Sequence, residues 1–268
     1  MSRTVIRIAA VLWLHTLRLW RFRLSFLNLV LSETLWMLIF MLGAMSFVPR
    51  EEWSFVLPTI FWSIVVWNLV AYSVWFVAGW MNHVIALGLV EEHLVTDVSI
   101  PLFLAGRSVV CISVATSIAI ALGLTLSRYL GIDMLGSIEN AALLLLGLAL
   151  ALIMGISYAL ILAALGLRWG VPPLALDVTN VLFFVVGIST PLRSLPPELR
   201  YVAMLVPYAY PTELVRYGAL GIEPLLGLET TLMMSLALTV AMVSISIATF
   251  RYCMELVRKY GVKGVGRM

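Results

Sequence analysis

The sequence predicts an all-α integral membrane protein of six transmembrane helices, and three observations lead there. Hydrophobic residues fill 62% of 268 positions and charged residues only 12%. The mean hydropathy of +1.06 lies beyond water-soluble domains of this size. Six apolar segments can be drawn, at 26–48, 55–79, 108–127, 141–167, 174–190 and 231–250. Most of them are near the ~20 residues that carry a helix across a ~30 Å hydrocarbon core. The ~10-residue alternating segments of a membrane barrel do not occur. The chain reads as a single transmembrane domain over 1–268.

Residues 1–25 are basic throughout and lack a small-residue cleavage site, so a cleavable signal is not expected. At 100° per residue Arg3, Arg7, Arg18 and Arg21 fall within about 60° of one another, while the remaining positions are largely Val, Ile, Leu, Trp and Ala. An N-terminal amphipathic interfacial helix, arginines toward water and phosphates, fits this pattern. A cytoplasmic extension of the first span fits it too.

The first span carries Glu33 about two turns in; Glu139 and Asp177 lie at span ends. Ion-coupled carriers keep ionisable groups near the bilayer midplane. These three read instead as hydrated, capping or helix-facing carboxylates, leaving a dry, uncharged interior. The fifth segment is short and holds Asp177. Cys111 and Cys253 read as packing residues, with neither a disulfide nor a metal site implied.

Twelve of the seventeen Lys and Arg residues fall on the side that holds both termini, among them Arg107, Arg168 and the tail at 251–268. The positive-inside rule then makes both ends cytoplasmic and the chain a multi-pass protein of the cell membrane. The loop at 80–106 is inside, and the region at 191–224 outside. The stretch at 190–220 holds Pro191, Pro196, Pro197, Pro207 and Pro211, with Arg193, Glu198, Arg200, Glu213 and Arg216. Its apolar run at 201–209 is too short to cross a bilayer. Re-entrant helices between the fifth and sixth spans, dipping part-way in from one face, account for these residues.

Catalytic signatures such as His-Glu-x-x-His, Gly-x-Ser-x-Gly and Cys-x-x-Cys are missing, and so is a phosphate-binding Gly-Lys-Ser/Thr. No enzyme activity, metal or nucleic-acid partner is expected of this chain. The inner loop carries Glu91, Glu92 and Asp97 around Leu89, Val90, Leu94 and Val95. A solvated connecting helix and a helix presenting carboxylates to a cytoplasmic partner both suit those residues.

Gly88, Val90, Glu91, Leu94, Val95, Thr96, Val98, Ser99 and Gly106, with Arg107 in a Lys position, follow the inner-loop order of one family. Pro191, Leu195–Pro196, Pro207, Glu213, Arg216 and Gly221 follow its outer-region order. On these residues the chain resembles the type-2 (ABC-2-type) ABC exporter permeases. Departures are Leu89, Asp97, the apolar run at 84–87, and Val206 where the family carries Asn. The resemblance implies a permease subunit moving cargo out of the cell, paired with a second permease chain, in a homo- or heterodimer. Two copies of a separate ABC ATPase would bind ATP and Mg. It implies ATPase coupling through Gly88, Glu91, Glu92, Thr96 and Asp97, and an outer gate of Pro191, Pro196, Pro207, Glu213 and Arg216. Glu213 and Arg216 sit one turn apart, either as a gate pair or as an exposed salt bridge worth at most ~1 kcal/mol. A stand-alone secondary transporter or channel is the alternative. The cargo is not identified by these residues.

Overall fold

The computed structural model describes residues 3–90, 92, 99–136, 138–169 and 173–261, and all regular structure among them is helical. Helix α1 spans Arg3–Arg21, and the chain bends at Phe22 (φ −104°, ψ 30°) into α2, Arg23–Met45. A 3-10 turn at Arg50–Glu52 leads into α3, Trp53–Ser73, which runs through a π turn at Val74–Gly79 into α4, Trp80–Ala86. Then come α5 (Ile100–Gly106), α6 (Ser108–Leu130) and α7 (Ala141–Trp169). Helix α8, Pro173–Phe183, ends in a second π turn at Phe184–Ile188. The short helices α9 (Pro197–Met204) and α10 (Ala209–Leu220) precede the long α11, Leu228–Tyr260.

Five helical segments are long and apolar enough to span a bilayer: Arg23–Met45, Arg50–Ala86, Ile100–Leu130, Ala141–Leu167 and Leu228–Tyr260. The protein is therefore a helical, multi-pass membrane protein. The expected fifth span is shorter: α8 and its π turn reach sixteen described residues, about 24 Å at ~1.5 Å per residue.

Helix α11 shows lipid as its solvent. It buries Thr231, Ser235, Thr239 and Ser246 while exposing Met233, Leu236, Val240 and Ile247. In water that pattern would be inverted. Here the buried hydroxyls donate to their own backbone, Ser235 Oγ to Thr231 O at 2.8 Å and Thr239 Oγ1 to Ser235 O at 2.7 Å. Small, self-satisfied side chains then allow a close approach to α7.

Helix α7 is the hub, packing against α3, α10 and α11. Gly147, Ala151, Gly155, Ala159 and Ala163 recur at every fourth residue along it, and all are buried. Beside this stripe, a Cβ on Gly147 would stand 2.9 Å from Pro211 O, and one on Gly155 would stand 3.2 Å from Ser73 Oγ. From the other side, a Cβ on Gly218 of α10 would stand 2.4 Å from the Leu144 nitrogen. The Asn140 amide donates to Gly218 O at 2.7 Å, and Asn140 Oδ1 caps α7 by accepting from the Leu143 amide at 3.1 Å. Helix α10 closes on Gly221 at φ +65°, where a side chain would be both strained and in collision with the Glu139 carboxylate.

Backbone contact at Gly218 leaves no flexible atom to give way, so Gly218→Val should lower the thermal unfolding midpoint in detergent by several degrees, reflecting overpacking of about 1–3 kcal/mol. Gly43→Val, where nothing lies within 4 Å of the new Cβ, is the control and should match the parent. Equal midpoints for the two variants would refute the tight α7–α10 contact.

Candidate functional site

Of the outer-region residues, Glu213 and Arg216 meet in one buried cluster beside Pro191, whereas Pro196 is exposed and Pro207 half-buried. Pro191 follows the second π turn by three residues and caps a 3-10 turn at Leu192–Ser194; Pro196 precedes α9, and Pro207 lies in the turn between α9 and α10. The predicted pair of short helices is present, though α9 stops at Met204, inside the apolar run. Helix α9 exposes Leu199, Tyr201 and Val202, whereas α10 is buried along most of its length against α7, α3 and α11.

Glu213 and Arg216 form an ion pair at 2.9 Å with exposures of 2% and 1%, which overturns the exposed-pair reading. Arg216 also donates to Ser63 Oγ of α3 at 2.8 Å and to the carbonyl of Ile188 in the second π turn. Glu213 Oε1 accepts the Leu192 amide at 3.3 Å. A guanidinium's fan of donors suits three acceptors from separate elements, which a lysine could not serve in one plane. Arg216 Nε keeps a proton with no partner.

A second cluster joins α1 to the start of the third span. Val11, His15 and Arg18 lie on one stripe of α1 (i, i+4, i+7). His15 is fully buried, and its Nε2 donates to Phe103 O of α5 at 3.2 Å; the two rings are 5.2 Å apart. Gly106 makes the approach possible, since its Cβ would sit 2.3 Å from Val11 Cγ1. The Trp80 ring meets two cations, Arg18 at 5.4 Å and buried Arg107 at 4.2 Å, and Arg107 Nε donates to Phe76 O. Arg7 and Arg21 are exposed, and Arg3 opens the helix.

Gly88 turns the chain after α4 at φ +66°, and Glu92 is helical and exposed. Glu91, Thr96 and Asp97 lie outside the described residues. Glu33 and Asp177, read separately as structural carboxylates, border one cleft between α2, α3 and α8. His15, Trp80, Ser63 and the Ile188 carbonyl escaped the sequence reading. The i, i+4 spacing of Val11 and His15 was a signal that a second face of α1 is packed; nothing in the sequence indicated the acceptors of Arg216. No known family model matches the chain, and a search of curated proteins finds no match.

Removing either partner of the buried pair strands the other. Arg216→Met and Glu213→Leu should each destabilise the protein by about 3–5 kcal/mol, with the double variant far less affected than the sum. Additive losses in a double-mutant cycle would contradict the shared cluster.

Burial holds the His15 imidazole below its usual range; the bond to the Phe103 carbonyl opposes this, and Arg107 and Arg18 add to the lowering. The undocked helix therefore binds the proton more readily than the docked one. Docking is fully stable above the ordinary value of 6.5 and weakens as pH falls below it. Amide hydrogen exchange of α1, corrected for its intrinsic pH dependence, should show lower protection at pH ~5.5 than at ~7.5. His15→Leu should abolish that difference.

Proposed function

We propose that the chain is the permease subunit of an ATP-driven type-2 ABC exporter, working beside a second permease chain and two copies of a separate ATPase. The reading rests first on the ordered motif residues, Gly88 to Arg107 within the loop and Pro191 to Gly221 in the outer region. The observation that carries it is the docking of α1 on the end of that same loop, Val11 and His15 against Gly106 and Phe103. A basic helix clamped to the connector between the second and third spans is a lever. Force applied to 80–106 from the cytoplasm reaches α1, α6 and the Arg107–Trp80 contact together.

In this reading both termini are cytoplasmic, and α8 with its π turn is a shortened fifth span. Helices α9 and α10 are the re-entrant pair, entering from the outer face. Helix α10 plugs the outer half of the bundle, its buried Glu213–Arg216 pair holding it to α3 and to the second π turn. A gate so anchored moves as a unit with α7 and α3. A stand-alone secondary carrier is the second reading, favoured by the carboxylates Glu33 and Asp177 in one cleft.

Co-purification with an ATPase encoded beside this chain, carrying Gly-x-x-x-x-Gly-Lys-Ser/Thr, tests the assignment. Glu91→Arg with Glu92→Arg should abolish the complex or uncouple ATP hydrolysis from transport, and Gly106→Leu, which displaces α1, should weaken it. Unchanged association and hydrolysis in both variants would rule out the coupling role. Transport without any ATPase, abolished by Glu33→Gln, would favour the carrier.

A further inference from the structure

The cleft between α2, α3 and α8 has a volume of about 420 Å³, within the range of small-molecule sites. Glu33 of α2 and Asp177 of α8 give it two carboxylates, and no basic residue lines it. Neither carboxylate has an ion-pair partner among the described residues. Aromatic rings form one wall, Trp67, Tyr72 and Trp75 of the long second span with Phe76 beyond them, and Leu29, Met37 and Val181 add apolar surface. Asn180 completes the lining from α8. It is 4% exposed, and neither its amide nitrogen nor its amide oxygen has a hydrogen-bond partner. Trp67 Nε1 is likewise buried and unpartnered.

Buried amides without partners are rare because each forfeits its hydration, and each such group calls for an explanation. Here the unpartnered groups line the same space as two unneutralised carboxylates. An anion is excluded by the charge. A bare metal ion is a poor match for walls in which the two carboxylates sit among Trp67, Tyr72, Trp75, Phe76, Leu29 and Met37. What this lining complements is a positive charge carried on an apolar body, with ring faces for the cation and carboxylates for its field.

We propose that this cleft binds a lipophilic organic cation, and that such cations are the cargo class. Naming the cargo rests on the exporter reading; the binding itself needs no ATPase. Glu33 and Asp177 neutralise the charge from two sides, Trp67 and Trp75 take the apolar body, and the Asn180 amide orients any polar substituent. Position along the chain puts the cleft on the α1 side of the Arg216 cluster: in the long second span Trp67 to Phe76 follow Ser63 and precede Trp80. Cargo held there has the buried α10 cluster between it and the far end of the bundle.

The test is calorimetric titration of the purified full chain in dodecyl maltoside with tetraphenylphosphonium, using tetraphenylborate as the anion of the same shape. The cation should bind saturably and the anion should not. Glu33→Gln and Asp177→Asn should each weaken the cation by about tenfold or more. Asp177 is exposed, so D177N keeps the fold and carries the test where E33Q unfolds. Binding of both ions alike, or affinity unchanged in a folded D177N variant, overturns the proposal. Displacement of the cation by equimolar lysophosphatidylcholine reassigns the cleft to a lipid's choline head and overturns the free-cation reading. An ATPase that fails to co-purify while cation binding persists removes the exporter reading alone.

Discussion

A guanidinium inside a bilayer protein must find acceptors from the protein, and Arg216 finds them in three places that are far apart in sequence. Glu213 neutralises it from one turn away, Ser63 meets it from α3, and the Ile188 carbonyl meets it from the second π turn. The turn following Pro191 is tied in as Glu213 accepts the Leu192 amide. Leaving a buried ion without its partner costs several kcal/mol, so these elements have one arrangement that satisfies the cluster. The return of the chain after α8, the seating of α10 and the register of α3 all follow from it. The Arg216 Nε–H is left without a partner in this arrangement.

Packing around that cluster depends on the absence of side chains rather than their presence. Between lipid-facing helices there is no hydrophobic drive to associate, so close backbone approach has to supply the attraction. Helix α7 achieves it with Gly and Ala at every fourth residue, and α10 answers with Gly218. Helix α11 answers with hydroxyls that satisfy themselves on their own carbonyls. At the opposite end Gly106 does the same for α1, whose His15 then packs on the Phe103 ring and donates to its carbonyl.

The spanning helices were legible because lipid permits only one answer to a 20-residue apolar run. The arginines of α1 were legible because a 3.6-residue period survives in any sequence. Likewise, five prolines and an interrupted apolar run could indicate two short helices without indicating where they pack. The burial of Glu213 and Arg216 was not legible: their partners, Ser63 and Ile188, lie 153 and 28 residues from Arg216, and no local pattern links such distances. The cleft was missed for the same reason. Glu33 and Asp177 looked like isolated carboxylates on separate segments, and only the folded chain sets both on the lining of one cleft. The short reach of α8 was legible from the length of its apolar segment, whereas the π turn that ends it was not, because hydropathy does not register one.

The π turn at Val74–Gly79 has a consequence of phase. A wide turn holds one residue more than the α-helix needs, and each such residue rotates everything beyond it by about 100°. The long second span is thus two helices with different azimuths on one continuous axis. Its first part turns Ser63 toward α10, while its second turns Trp80 toward Arg107. Deleting a single residue within the turn would leave a continuous helix only one residue shorter and equally apolar, yet swing the whole α4 side out of step with α5. The two ends of the molecule are kept in alignment by a miscount.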